Sequence, residues 1–220
     1  DDYFRDGEKR AQALGNRGPL RFDENGDLAR DILDAYHEHG FYVFTDVLSG
    51  EETRELTAEL DELIDNAPVV EDGALDKQGR VSKYSPYYSL RPGDPSVVRL
   101  LSHPIMMSDA ALRAYAHPQI LRMVASINGP DFIPFHEAIQ YKVANNGVPT
   151  PWHQDGRTHW TDAGAALEKP DGTGKTHGFN LSIACTDCTS ANGLWVVPGS
   201  HRHWRLSGGG KFPSINDQIP

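Results

Sequence analysis

Asn192-Gly193-Leu194-Trp195-Val196-Val197-Pro198-Gly199-Ser200-His201-Arg202 is the stretch on which the fold turns. Asn-Gly accepts the positive φ angles of a two-residue hairpin turn. Leu194 to Val197 is an apolar run of strand length, rich in valine. Pro198-Gly199-Ser200 stops that strand and turns the chain. Two runs of the same texture lie upstream, 132–143 and 179–186, with Pro, Gly and Asn between them. Short β-prone runs punctuated in this way predict an all-β sandwich or barrel from 131 onward. Alternation along the second run puts Asn180, Ser182 and Ala184 on one face and Leu181, Ile183 and Cys185 on the other. In the first run His136 and Gln140, four apart, share a face.

Between these runs stands Pro151-Trp152-His153-Gln154-Asp155-Gly156. On an extended chain His153 and Asp155 project to the same side. An imidazole and a carboxylate so placed can take adjacent corners of an octahedral metal, two-thirds of a 2-His-1-carboxylate triad. Alone, His-x-Asp is also the pattern of an ordinary surface hydrogen-bonded pair. Arg157, His159 and Trp160 follow and are candidates to line a substrate mouth. Cys185-Thr-Asp-Cys188 has C-x-x-C spacing, but no second cysteine pair accompanies it, so both read as ordinary thiols.

The first half reads as helices. A short helix is expected near 3–14. Asp27 is placed to cap the next, with Leu28, Ile32, Leu33 and Tyr36 on one face and Gly40 ending it. Phe41 to Phe44 is β-prone. Ser49 with Glu52 is a capping-box pair before a helix carrying Leu56, Leu60, Leu63 and Ile64. Residues 66–95 predict a long loop bearing Tyr84, Tyr87 and Tyr88, either lying over a site or a plain surface excursion. Two short helices are expected in 96–127, at His103-Pro104 and His117-Pro118. The segment 161–177 reads as a polar insertion.

The 220 residues suit one domain, with helices over 1–127 and the β core from 131. A net charge of −10, with no Lys/Arg run, argues against a nucleic-acid partner. There is no apolar run of membrane-spanning length, and two cysteines make no disulfide framework. These features lead to the expectation of a soluble, cytoplasmic protein without membrane or nucleic-acid partners. Oligomeric state is not legible.

With the His-x-Asp pair and the Asn-Gly to Pro-Gly-Ser-His stretch taken together, the chain resembles the phytanoyl-CoA dioxygenase family of Fe(II)/2-oxoglutarate oxygenases. His39-Gly40-Phe41-Tyr42-Val43-Phe44 and Val47-Leu48-Ser49-Gly50-Glu51-Glu52 resemble that family's opening helix, strand and second helix. The resemblance covers roughly 28–65 and 131–205. It implies a mainly β double-stranded β-helix, a cupin-like jelly roll, with flanking helices. It implies Fe(II) at His153 and Asp155, with Gln140 and Ser182 contacting 2-oxoglutarate as co-substrate. Arg157, His136 and Trp160 are then candidate substrate contacts. The implied reaction is hydroxylation of a C–H bond of a small organic substrate by O₂, releasing succinate and CO₂. In halogenating relatives the carboxylate position is Gly or Ala, so Asp155 favours hydroxylation over halogenation.

One departure stands out. The family's third ligand is a late histidine, followed by an arginine that pairs with 2-oxoglutarate, and here no histidine follows His203. Either those residues are expected beyond 220, or His201 or His203 substitutes. Two rival readings follow. One is a catalytically silent jelly-roll binding module. The other is a cupin-type metalloenzyme built on His153, Asp155 and His201 that does not use 2-oxoglutarate.

Overall fold

The computed structural model describes residues 2–68, 75, 78–80, 87–91, 93–133, 136–142, 152–153, 178, 180–190 and 192–202. They divide between two compact units. The first comprises 1–47, 118–132 and 151–220, the second 48–117 and 133–150.

The first unit opens with α1 (Asp2–Ala13), where the sequence places a helix. None of its residues is buried. Its Tyr3 ring stacks on Trp195 at 5.4 Å, and Phe4 meets the same indole edge-on at 5.9 Å. Gly7, one turn on, lets the indole come close: a β-carbon there would lie 2.6 Å from the Trp195 ring. Next come β1 (Arg17–Pro19), α2 (Arg30–His39) and β2 (Val43–Thr45). β1 and β2 pair in parallel, Gly18 opposite Phe44. Asn16, 2% exposed, braces this pair by donating its amide to the Phe41 carbonyl at 3.1 Å.

Asp27 does not cap α2. The helix begins at Arg30 with Ala29 as N-cap and no side-chain cap. The reason is local. The Asp23 carboxylate accepts the amides of Asn25 and Asp27 at 2.9 and 3.0 Å, closing a turn that bridges Phe22 to Leu28. The Asp27 backbone is held in that turn, and the Ala29 amide, which an Asp27 cap would need, donates to the Arg21 carbonyl at 3.0 Å. Leu28 and Ile32 are buried as expected, at 2% and 0% exposure. Gly40 ends α2 in the left-handed region, with its amide on the Tyr36 carbonyl at 2.8 Å. α5 (Pro118–Asn128) belongs to the same unit and buries Ile120, Met123 and Ile127. Its Ser126 hydroxyl accepts the Leu28 amide at 3.1 Å, and Arg122 Nε donates to the Gly26 carbonyl at 2.7 Å.

The second unit is built on α3 (Gly50–Asp65). Its capping box is formed in both directions, Ser49 Oγ accepting the Glu52 amide and Glu52 accepting the Ser49 amide. Leu56, Leu60 and Leu63 are buried along one face. The expected loop over 66–95 ends early. Tyr88–Arg91 forms β3 and Asp94–Ser102 forms β4, an antiparallel hairpin turning at Gly93, φ 80°. β5 (Ala138–Gln140) pairs antiparallel with β4, giving the order β3-β4-β5. Ala67, Leu90 and Val98 form a core cluster with Ile64, Tyr88 and Tyr141 packed on it. The Tyr88 hydroxyl donates to the Leu63 carbonyl at 2.6 Å, tying sheet to helix. His103-Pro104 opens a short 3-10 turn (Pro104–Met106), and α4 (Asp109–Tyr115) starts after Ser108.

The described residues contain these helices and two small sheets, and no closed barrel. Among the described residues of the run 132–143 only 138–140 is strand, and residues 180–186 and 194–197 form no strand. An extended run becomes a strand only when a neighbour takes its backbone groups. No such neighbour of those two runs lies among the described residues. The segment 161–177 lies outside them.

Candidate functional site

Gln140 closes β5 opposite Leu100 and is exposed. His136 stands two residues before β5 rather than on it, and is also exposed. Its ring lies 5.8 Å from that of His103, nearly perpendicular. Tyr87 approaches His103 at 5.8 Å, also edge to face. His103 Nδ1 is 3.2 Å from a Glu137 carboxylate oxygen, and its backbone amide donates to the Glu137 carbonyl at 3.1 Å. These contacts hold His103 at φ 56°, ψ 46°, a conformation that costs a non-glycine residue about 1–2 kcal/mol. Burial and then the Glu137 charge push the Tyr115 phenol up from its ordinary value. Thus His136 is joined at one end of the sheet by His103, Glu137 and Tyr87. The sequence flagged His103 only as a helix start. Its positive φ and its pairing with a residue 34 positions away leave no sequence signal.

His153 is exposed, beside a half-buried Trp152. Asp155, Arg157 and Trp160 lie outside the described residues. Ser182 is exposed, and so are Asn180, Leu181, Ile183 and Ala184, with only Cys185 half-buried. The two-face alternation read for that run is therefore not seen. Along 194–197 it is: Leu194 and Val196 are exposed, Trp195 and Val197 half-buried. The Asn192 side chain accepts the Thr189 amide at 2.6 Å, and the Gly193 amide donates to the Thr189 carbonyl at 2.8 Å, turning the chain back on Thr189; Gly193 does not take the positive φ of the expected two-residue hairpin turn. Cys185 and Cys188 form no disulfide.

Among the described residues no three His, Cys, Asp or Glu side chains converge as a metal site. The donor chemistry of His153 and Asp155 nevertheless suits Fe(II), which takes imidazole nitrogen and carboxylate oxygen together. An exposed His153 imidazole is accessible to such an ion. No helix among the described residues is long and apolar enough to cross a membrane.

A family model described as phytanoyl-CoA dioxygenase (PhyH) matches residues 36–207. An ectoine dioxygenase of Nocardia farcinica is 25% identical over 178 residues, 80% of this chain and 52% of that protein. An ectoine dioxygenase of Halomonas elongata is 28% identical over 192 residues, 86% of this chain and 51% of that protein. One of Bordetella parapertussis is 23% identical over 209 residues, 93% of this chain and 60% of that protein. The chain spans about half the length of the curated relatives it matches. No solved structure matches.

Proposed function

The chain belongs to the phytanoyl-CoA dioxygenase family, and on that footing we propose that it acts as a non-heme Fe(II)/2-oxoglutarate-dependent dioxygenase. Its reaction would hydroxylate a C–H bond of a small organic substrate with O₂, releasing succinate and CO₂. The observation that carries this reading is the family match over 36–207, which contains His153-x-Asp155 and the Asn192–Arg202 stretch. Relatives named ectoine dioxygenase support a small-molecule substrate. The fold belonging to this reading is one cytoplasmic oxygenase domain, with the helices and β1 to β4 in 1–127 followed by a jelly-roll core from 131.

When bound, iron with 2-oxoglutarate and O₂ would supply the oxidising chemistry, leaving the protein to bind, orient and exclude water. His153 would give a neutral nitrogen donor and Asp155 an anionic oxygen from the same side of the chain. The Gln140 amide and the Ser182 hydroxyl can donate hydrogen bonds to the carboxylate oxygens of 2-oxoglutarate. Arg157 would hold an anionic group of the substrate. His136 and Trp160 would line the space beside it.

His153→Ala tests the assignment. Iron content and iron-dependent 2-oxoglutarate decarboxylation should fall together, to background, in a variant that keeps its circular dichroism spectrum. Full retention of iron would remove His153 from the site. A binding module without chemistry would hold no iron in either form.

A further inference from the structure

The Pro198–Arg202 turn does something the dioxygenase reading leaves unused. A helix ends with carbonyl groups that have no partner within it. In α2 the carbonyls of Tyr36, His37 and His39 are met by named donors. Gly40 donates its amide to the Tyr36 carbonyl at 2.8 Å. The other donors come from more than 150 residues downstream. The Gly199 amide donates to the His39 carbonyl at 2.9 Å. His201 Nε2 lies 3.1 Å, and the Arg202 guanidinium 3.2 Å, from the His37 carbonyl. A carbonyl only accepts, so Nε2 carries the hydrogen. Arg202 also brings a positive charge to the negative end of the helix dipole. The turn is fixed from within, since the Ser200 and Arg202 amides donate to the Val197 and Gly199 carbonyls, each at 3.1 Å. Gly40 is the matching half of the contact. A β-carbon there would lie 2.2 Å from His201 Nδ1. The glycine therefore provides both the positive φ of 84° and the space for the imidazole.

We propose that His201 and Arg202 are positioning residues, forming a latch that caps α2 and holds the Asn192–Arg202 stretch against it. His201 is then not a metal ligand. Nε2 is committed as a donor, and Nδ1 faces Gly40 with no room for even a β-carbon between them. This second half rests on the iron reading above. It decides against the cupin-type arrangement in which His201 would join His153 and Asp155.

The test is a thermal-melt cycle joined to iron titration. Gly40→Ala strains the backbone and strikes the imidazole in the native protein. In a His201→Ala background only the backbone strain is left. The Tm drop caused by Gly40→Ala should therefore be smaller, by about 2–4 °C, in that background. His201→Gln, whose amide can still donate to the His37 carbonyl, should recover most of the Tm lost in His201→Ala and bind iron as the native protein does. Equal Tm drops in both backgrounds would overturn the latch. A His201→Gln protein that keeps its Tm but loses iron would overturn the positioning role and make His201 a ligand. Loss of the iron reading has a separate signature: His153→Ala retaining iron while the Tm cycle still shows coupling.

Discussion

Glu59 accepts hydrogen bonds from the Ser108 hydroxyl at 2.6 Å and the Ala110 amide at 2.9 Å. The first, then the second, holds its carboxyl below the ordinary glutamate value of 4.5. Ser108 Oγ in turn accepts the Ala111 amide at 2.9 Å, so the carboxylate and the hydroxyl share the N-terminus of α4. A carboxyl lowered in the folded state contributes stability above its unfolded pKa and loses that contribution as pH falls through the folded value. Glu59→Gln should therefore cost on the order of 1 kcal/mol at neutral pH, hydrogen bonds to a half-exposed charge being modest. Urea titrations at neutral pH and at about pH 3 would check this. The gap between the two proteins should narrow in acid, and a constant gap would mean that the charge is irrelevant. Glu59 itself was visible in the sequence only as a polar residue between buried leucines. Ser49 and Glu52 were readable because both partners of a capping box lie within four residues. The partner of Glu59 lies 49 positions away. Asp27 misled for a related reason: the Ala29 amide that it would cap is taken by the Arg21 carbonyl.

Among the elements, α1 has no buried residue, and its aromatic contacts run through one indole. Two such ring pairs are worth about 0.5–1.5 kcal/mol each beyond burial. Trp195→Ala should leave α1 exchanging its amides close to the rate of an unfolded peptide while α3 stays protected, as read by hydrogen exchange. Unchanged protection over residues 2–13 would show that other contacts hold the helix. The period of α1, α2 and α3 was legible because helical order is local. β4 was not. Ser96-Val97-Val98-Arg99-Leu100-Leu101-Ser102 was expected to lead into helix, yet it is strand, with Val98 opposite Leu90 and Leu100 opposite Gln140. Its pairing with β3 is local, but its other edge is taken by β5, 40 positions further on from Leu100, which a reading of neighbouring residues does not reach. The alternation of exposure along 194–197 follows the expected period of two, whereas 180–184 does not.

For the molecule as a whole, family membership was legible because its signature is short and local: His153-x-Asp155, then Asn192-Gly193 to Pro198-Gly199-Ser200-His201. The family match over 36–207 bears that out. The β-prone runs left a sandwich or a barrel open, and the jelly roll came from the family resemblance, because which strands meet across the chain is not encoded in single runs. Of the candidate site, the sequence offered His153 and Asp155 by their spacing, and their role stays a proposal, while the His103–Glu137 pairing beside His136 depends on tertiary contact and left no sequence signal. If this chain holds Fe(II) as the anchor for 2-oxoglutarate, as proposed, the two must bind in a coupled way, and linkage makes that coupling measurable. Calorimetric titration of 2-oxoglutarate into the protein, under nitrogen, with and without Fe(II), reads the coupling between the two. Binding should be at least 10-fold tighter with iron present, about 1.4 kcal/mol of coupling. Equal affinity with and without iron would contradict it.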